Sequence, residues 1–312
     1  MAHAASTVAL CVVPLASPLR LDLYLHQLFP HLSRRQIPEL FASGDIIVNG
    51  RRAKKSERVS GKEDMVLGGQ ACRAVFARQL PANPHLSLTI AYQDTALFVV
   101  DKPAFTATLA LRFDETDTLA NALLARFPEL VHVGGVRDAG LLQRLDRDTS
   151  GLVLGAHTQA IWQALQAQMQ AGGIEKGYLA LVAGEVKPTS GTIDWALSGR
   201  SKHSQRVTVN SQSHGSYVTA WRVDRRYCAY TLLDVTIRQG FRHQIRAHLA
   251  AMGHPIVGDR RYNGPVLPGL TRHFLHAHCL SFRHPVTARA VCIKSQLPAD
   301  LRQPLSRIKE DL

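Results

Sequence analysis

The segment Gln143-Arg144-Leu145-Asp146-Arg147-Asp148-Thr149-Ser150-Gly151-Leu152 sets a carboxylate between two arginines, with a Thr-Ser-Gly turn behind it. A carboxylate flanked by guanidinium groups can stay ionised inside a pocket, as a nucleophile must. Two other readings fit the same residues. Asp148 or Thr149 can cap a turn, the commonest role for such residues, and Asp146 with Asp148 can form a D-x-D metal pair. The guanidinium between them and the lack of a nearby phosphate loop weigh against the metal pair. Three further segments bear on the choice. Glu175 to Gly184 presents Tyr178 in an otherwise apolar strand. His243-Gln244-Ile245-Arg246-Ala247-His248-Leu249 opens a helix with His243 and Arg246 on one face and Ile245, Leu249 and Met252 on the other. Leu275 to Pro285 is rich in histidine, and its neighbour His273 completes an H-x-x-H-x-H string with His276 and His278. No cysteine or carboxylate lies at ligand spacing, so no metal is expected there.

These side chains need strands and short helices to carry them. "LSLTIAYQDTALFVVDKPA" reads as a strand, a polar turn and the apolar run Leu97 to Val100 into Asp101-Lys102-Pro103, where Pro103 predicts an exposed turn at Lys102. Ile161, Leu165 and Met169 step by four with Trp162 beside them, an amphipathic helix with its stripe toward the core. Tyr217 to Val223 and Leu232 to Ile237 read as strands, and His243 to Met252 as a helix stopped by Gly253. Strands outnumber helices and often adjoin, which predicts an α+β fold with a mixed, largely antiparallel sheet.

The 312 residues leave room for one large domain or two ordinary ones. No apolar run reaches the length of a transmembrane helix. Lys and Arg number 37 against 24 Asp and Glu, a net charge of +13, which suits a polyanion and nucleic acid before acidic membrane. Arginine outnumbers lysine, favouring forked phosphate contacts. Cys11, Cys72, Cys228, Cys279 and Cys292 are odd in number and scattered, which argues against a disulfide framework or zinc knuckle and for a reducing, cytoplasmic setting. Val8 to Val13 lacks a basic flank and meets Pro14, so it reads as a tail or edge strand rather than a signal peptide.

Composition divides the chain into a tail (1–18), a compact basic unit (19–78), a Pro-rich linker (79–85), a second unit (86–296) and a charged tail (297–312). In the basic unit Leu21, Leu25, Leu28 and Phe29 recur at helical spacing. A second helix is expected near Ser33, with Ser33 as its cap and Arg34 and Arg35 at its start. Ile46 to Gly50 then reads as a strand ending in an Asn-Gly turn, followed by Arg51, Arg52, Lys54 and Lys55. Two helices feeding a basic hairpin resemble the S4 RNA-binding domain, carried by "SRRQIPELFASGDIIVNGRRAKKSERV". Arg34 and Arg35, at a helix start, and Arg51, Arg52 and Lys54, at the hairpin, are the expected phosphate contacts.

"VVDKPA", "RLDRDTSGLVL", the Tyr178 strand, "HQIRAHL", "GHPIVGDRRY" and "LHAHCLSFRHP" stand in order from about Leu86 to Cys292. Together they resemble the RNA pseudouridine synthases of the RluA type, in which an S4 domain often precedes the catalytic domain. The resemblance implies that Asp146 is the nucleophile toward a flipped uridine, whose base detaches, rotates and rejoins the ribose through carbon. It implies that Tyr178 stacks on the base and is a candidate to remove its C5 proton, that Arg246 pairs with Asp146, and that Arg144 holds the RNA. Leu145 and Ile245 would wall the pocket. Lys102 and His243 are expected to add substrate contacts, as are Arg200, Lys202 and Arg206 of the polar, aperiodic stretch Gly199 to Arg206. No cofactor and no metal are implied.

This assignment meets the physical demands. Burial raises a carboxylate's pKa, and a guanidinium at about 4 Å offsets that by about 4 kcal/mol at an effective dielectric of about 20. Two positions depart from the family: Gln143 stands where histidine is common, and Gln239-Gly240-Phe241-Arg242 where Thr-Gly-Arg is. Neither alters Asp146, Tyr178 or Arg246, but Phe241 bears on substrate choice. The expected partner is RNA, large-subunit ribosomal RNA first and transfer RNA second, met by a monomer. The competing reading is a non-catalytic S4-containing RNA-binding or ribosome-assembly protein.

Overall fold

The computed structural model describes residues 8–10, 15, 17–29, 36–69, 80–199 and 206–309. Ser33, Arg34, Arg35, Arg200 and Lys202 lie outside them. The chain divides into two compact units after Pro81, with residues 135–137 grouped with the first.

The first unit runs β1 (Val8–Ala9), β2 (Leu19–Arg20), α1 (Leu21–Leu28), α2 (Gln36–Ala42), β3 (Ile46–Val48), β4 (Arg51–Arg52), β5 (Arg58–Val59) and β6 (Met65–Leu67). Its core joins Leu21, Tyr24 and Leu25 of α1 to Ile37 and Leu40 of α2 and to the inward residues Ile46, Val48, Met65 and Leu67. The period-2 burial of β3 and β6 is that of strands with one face covered. Asn49 and Gly50 both take positive φ, 48° and 76°, as a two-residue hairpin turn requires. That turn projects the exposed Arg51 and Arg52 of β4.

The second unit contains β7 (Ile90–Gln93), β8 (Leu97–Lys102), α3 (Leu119–Arg126), β9 (Ser150–Ala156), α4 (Gln159–Gln170), β10 (Glu175–Ala183), β11 (Ser190–Ser198), β12 (Thr208–Tyr227), β13 (Tyr230–Ile237), α5 (Gln244–Ala251), β14 (Leu275–Arg283), β15 (Ala290–Lys294) and α6 (Ala299–Leu305). Nine strands form one sheet in the order β11-β12-β13-β10-β14-β9-β8-β7, with β15 also on β14. Every pairing among the described strands is antiparallel except β14 with β9. The fold is therefore α+β with a mixed, largely antiparallel sheet. Strand β9 is buried along its whole length, which the Gly/Leu/Val/Ala run after Ser150 permits. Leu165 of α4 is fully buried against β9, with Ile161, Trp162 and Met169 packed beside it.

Two expectations are corrected. The stretch from Leu297, read as a charged tail, folds into α6, because Leu301 buries completely and Asp300 pairs with Arg272. Lys102, read as part of an exposed turn, is fully buried while Pro103 beside it is exposed. The period-2 geometry of β8 turns the Lys102 side chain inward, where three carbonyls receive its ammonium. No helix among the described residues is long and apolar enough to cross a membrane.

Candidate active site

Asp146 sits on the turn that feeds β9. The turn is closed by the Thr149 N–H donating to the Asp146 carbonyl at 3.0 Å. Four side chains fix it from below. Thr108 Oγ1 donates to the Leu145 carbonyl at 2.8 Å and accepts from the Leu145 N–H at 3.0 Å. Lys102 Nζ donates to the carbonyls of Pro103, Thr106 and Arg147. Arg272 donates to the Asp148 carbonyl at 3.0 Å and to Ser150 Oγ at 2.9 Å. His273 Nε2 and Thr149 Oγ1 lie 2.7 Å apart. Gly151 completes the exit from the turn. At φ 116° an added Cβ would strike the Ala277 backbone, so only glycine lets β9 start against β14.

Arg246 reaches Asp146 from α5. The helix is pinned to the sheet by Gln244 Nε2, which donates to the Val218 carbonyl and Thr219 Oγ1, and by His248, which meets Thr219 Oγ1 and the Trp195 carbonyl. Arg246 Nη1 donates to Asp146 Oδ2 at 2.7 Å. Its Nε and Nη2 bind both oxygens of Asp259 at 2.6 and 2.8 Å. A forked pair of this kind fixes the guanidinium plane, and the Tyr262 ring lies 5.3 Å beneath its carbon. Burial disfavours the Arg246 charge, but Asp259 and Asp146 outweigh it, so the guanidinium is permanently charged. Burial pushes the Asp146 carboxyl up, and His243 when protonated, together with the Arg246 guanidinium, overcomes this and holds it below its ordinary value. Burial also lowers His243, to about 4, so it is neutral at pH 7 and Arg246 is the cation that keeps Asp146 ionised.

His243 caps α5 in the left-handed conformation, φ 55°, which aims its ring at Asp146 with Nε2 3.8 Å from Oδ2. Tyr262 Oη accepts the Val207 N–H at 2.8 Å and lies 3.1 Å from His243 Nδ1. The direction of that bond follows the ring tautomer: with the proton on Nε2, facing the carboxylate, Nδ1 accepts from the hydroxyl.

Tyr178 comes from the middle of β10, paired with Val235 of β13 and Ala277 of β14. The β10–β14 register shifts between Gly177 and Tyr178, a bulge that re-aims the ring. Burial raises the Tyr178 phenol pKa and the Asp146 charge raises it further, so the hydroxyl is protonated. Tyr178, Asp146, Arg246, Leu145, Ile245 and Arg144 line one slot of about 60 Å³, together with His243. That slot adjoins a cleft of about 1070 Å³ which shares Asp146, His243 and Arg246 with it and adds Arg147, Arg206 and Arg260. Seven sequence-predicted residues therefore meet in the slot, and Arg206 lines the cleft.

Lys102 does not line the slot. Burial, then the neighbouring Arg272 charge, lowers its pKa to about 7, and it braces the turn that carries Asp146. Arg51, Arg52 and Lys54 belong to the first unit, where Arg51 gives its guanidinium to Glu57 at 2.6 Å. The sequence reading missed Asp259, Thr108 and Arg272. Asp259 lies inside "GHPIVGDRRY", so that segment held a signal for it, whereas no spacing marks Thr108 or Arg272. The histidines of the H-x-x-H-x-H string are each engaged elsewhere: His273 with Thr149, His276 with Ser150 and His278 with Asp234.

Asp259 is 1% exposed, and its loss would strand the Arg246 guanidinium. Asp259→Ala is expected to lower unfolding free energy by about 3–5 kcal/mol, read from the urea midpoint. An unchanged midpoint would show that Asp146 alone suffices to hold Arg246.

A family model described as RNA pseudouridylate synthase matches residues 96–251, and an S4 domain model matches residues 19–66. The chain is 35% identical to the ribosomal large subunit pseudouridine synthase D of Xylella fastidiosa, over 94% of this chain and 89% of that protein. It is 33% identical to the protein of the same name from Xanthomonas campestris pv. campestris, over 98% and 94%. The solved structure of human RNA Pseudouridylate Synthase Domain Containing 4 shares the fold, with a TM-score of 0.55 at 20% identity over 70% of this chain and 92% of its own. A mixed sheet that brings a carboxylate, a tyrosine and an arginine into one slot accords with these matches in defining an RNA-modifying isomerase. The chain belongs to the RNA pseudouridylate synthase family, in the RluA group, with an S4 domain at its N-terminal side.

Proposed function

We propose that the chain isomerises uridine to pseudouridine in large-subunit ribosomal RNA, with Asp146 as nucleophile, Tyr178 as stacking partner and candidate base, and Arg246 as the cation that keeps Asp146 ionised. The observation that carries this reading is the Asp146 carboxylate, held 2.7 Å from Arg246 in the slot that Tyr178 lines. The carboxylate attacks C1′ and the N1–C1′ bond breaks. The base turns, C5 bonds to C1′ as the carboxylate departs, and the C5 proton is removed while N1 takes one up. Extruding the uridine costs a few kcal/mol, which stacking and phosphate contacts offset. Arg147, Arg206 and Arg260 in the cleft supply such contacts, and Arg144, exposed at the slot, holds the RNA beside it. Ribosomal RNA comes before transfer RNA because the relatives from Xylella fastidiosa and Xanthomonas campestris, which align over nearly the whole chain, carry the large-subunit name. We assign the reaction to the cytoplasm and to a single copy of the chain.

The test is single-nucleotide pseudouridine mapping of total RNA from cells with the gene, without it, and with Asp146→Ala. Loss of the same large-subunit uridine modification in both altered strains is the expected result. A lost site in transfer RNA would move the substrate, and no lost site would favour the non-catalytic RNA-binding reading.

The first unit contributes through its basic hairpin. Since Arg51 is already paired with Glu57, Arg52 and Lys54 are the stronger phosphate contacts. The double variant Arg52→Ala/Lys54→Ala is expected to flatten the slope of log K against log salt by about 1.4, at about 0.7 per contact. An unaltered slope would remove the hairpin from the RNA interface.

A further inference from the structure

The Arg272 side chain is completely buried, yet it spans three separate parts of the second unit. Nη1 donates to the Asp148 carbonyl at 3.0 Å and the Leu275 carbonyl at 3.2 Å, and Nη2 donates to Ser150 Oγ at 2.9 Å. Nε and Nη2 reach the two carboxylate oxygens of Asp300 on α6, at 2.6 and 3.2 Å. A guanidinium has five N–H donors, and these five bonds occupy the full set. The side chain has no spare donor and no rotational freedom. Its position is thus set by the carboxylate that neutralises it, and the turn between Asp146 and Ser150 is set by its position.

The charge balance points the same way. Lys102 supports the same turn through the Arg147 carbonyl, and the charge of Arg272 bears on it. Two buried basic side chains hold adjacent carbonyls of one turn, and Asp300 is the carboxylate bonded to Arg272. Asp300 lines a cavity of about 410 Å³ with Lys102 and Arg272 and is itself 39% exposed, so an amide or a longer carboxylate fits in its place without displacing apolar packing.

We infer that Asp300 is a positioning residue for isomerisation, acting through Arg272 to hold the turn that presents Asp146. The inference rests on the reading of Asp146 as nucleophile. A misplacement of order 1 Å in a reacting group costs up to about 100-fold in rate. Asp300 is remote from the slot, so the loss falls on kcat and leaves KM for RNA unchanged.

The experiment compares the full chain with Asp300→Asn and Asp300→Glu in single-turnover assays on the RNA identified by mapping, alongside amide hydrogen exchange without RNA. Asp300→Asn is expected to lower kcat by about 10- to 100-fold at constant KM, and Asp300→Glu to recover most of it. Exchange of the Thr149 amide, which closes the turn, is expected to accelerate about tenfold in Asp300→Asn while amides of β8 keep their protection. Retained kcat with retained Thr149 protection overturns the inference. So does a uniform loss of protection across the sheet, which marks a merely structural role. If the wild-type chain has no turnover, the functional reading fails, and Thr149 exchange still decides whether Asp300 holds the turn.

Discussion

Asp146→Asn abolishes isomerisation and leaves RNA affinity within a few-fold: that is the expected result for a nucleophile whose side chain is replaced by a near-isostere. The amide keeps the volume and one acceptor for Arg246 but has no charge with which to attack C1′. Loss of a nucleophile in hydrolases that work through a covalent intermediate costs about 10⁶-fold in kcat, and a drop of at least about 10⁴ is expected here. Affinity holds because the arginines of the cleft are untouched. Removing one negative charge beside Arg147 and Arg246 works, if anything, toward tighter phosphate binding. The measurement is a tritium-release or mapping assay beside a filter-binding titration. Turnover by Asp146→Asn within tenfold of wild type would end the assignment of Asp146.

Tyr178→Phe separates the two roles proposed for that residue. The ring, which offers the base a flat face, stays, and the hydroxyl goes. In the free protein that hydroxyl is kept protonated, first by burial and then by the Asp146 charge. For Tyr178 to serve as the base proposed for C5, the phenol must first give up its own proton, which N1 of the detached base can accept; the phenolate then takes the C5 proton. Tyr178→Phe is therefore expected to bind RNA normally, to form the adduct with Asp146, and to lose at least about 100-fold in kcat, the scale of general acid–base contributions. Undiminished kcat would leave Tyr178 as a stacking platform and place the base elsewhere.

How far the residues announced this site depends on how local each signal is. The Asn49-Gly50 hairpin, the Ile161/Leu165/Met169 stripe and the helix stopped by Gly253 rest on near neighbours, and each stands where the spacing put it. The segment around Asp146 was ambiguous locally: it offered Asp148 or Thr149 as a turn cap, Asp146 with Asp148 as a metal pair, and Asp146 as a catalytic carboxylate, and the turn itself is closed by the Thr149 N–H on the Asp146 carbonyl. Tyr178 and Arg246 resolve the ambiguity only by family resemblance, since nothing in spacing joins them to Asp146. Lys102 misled because a lysine before proline looks like a surface turn, whereas strand alternation sends it under the turn that carries Asp146. Asp300 was invisible because its partner Arg272 lies 28 residues away and shows no pattern of its own.

The long reach of these bonds has a consequence for how the molecule acquires its activity. Asp146 meets Arg246 across 100 residues of chain, and Arg272 meets the Asp148 carbonyl across 124. Such contacts repay their loop-closure entropy only after the intervening strands have paired. The first unit, by contrast, closes its core within its own short span. During folding, the capacity to grip RNA is thus expected to precede the capacity to modify it. A chain arrested early would be a ligand for its substrate before it is a catalyst.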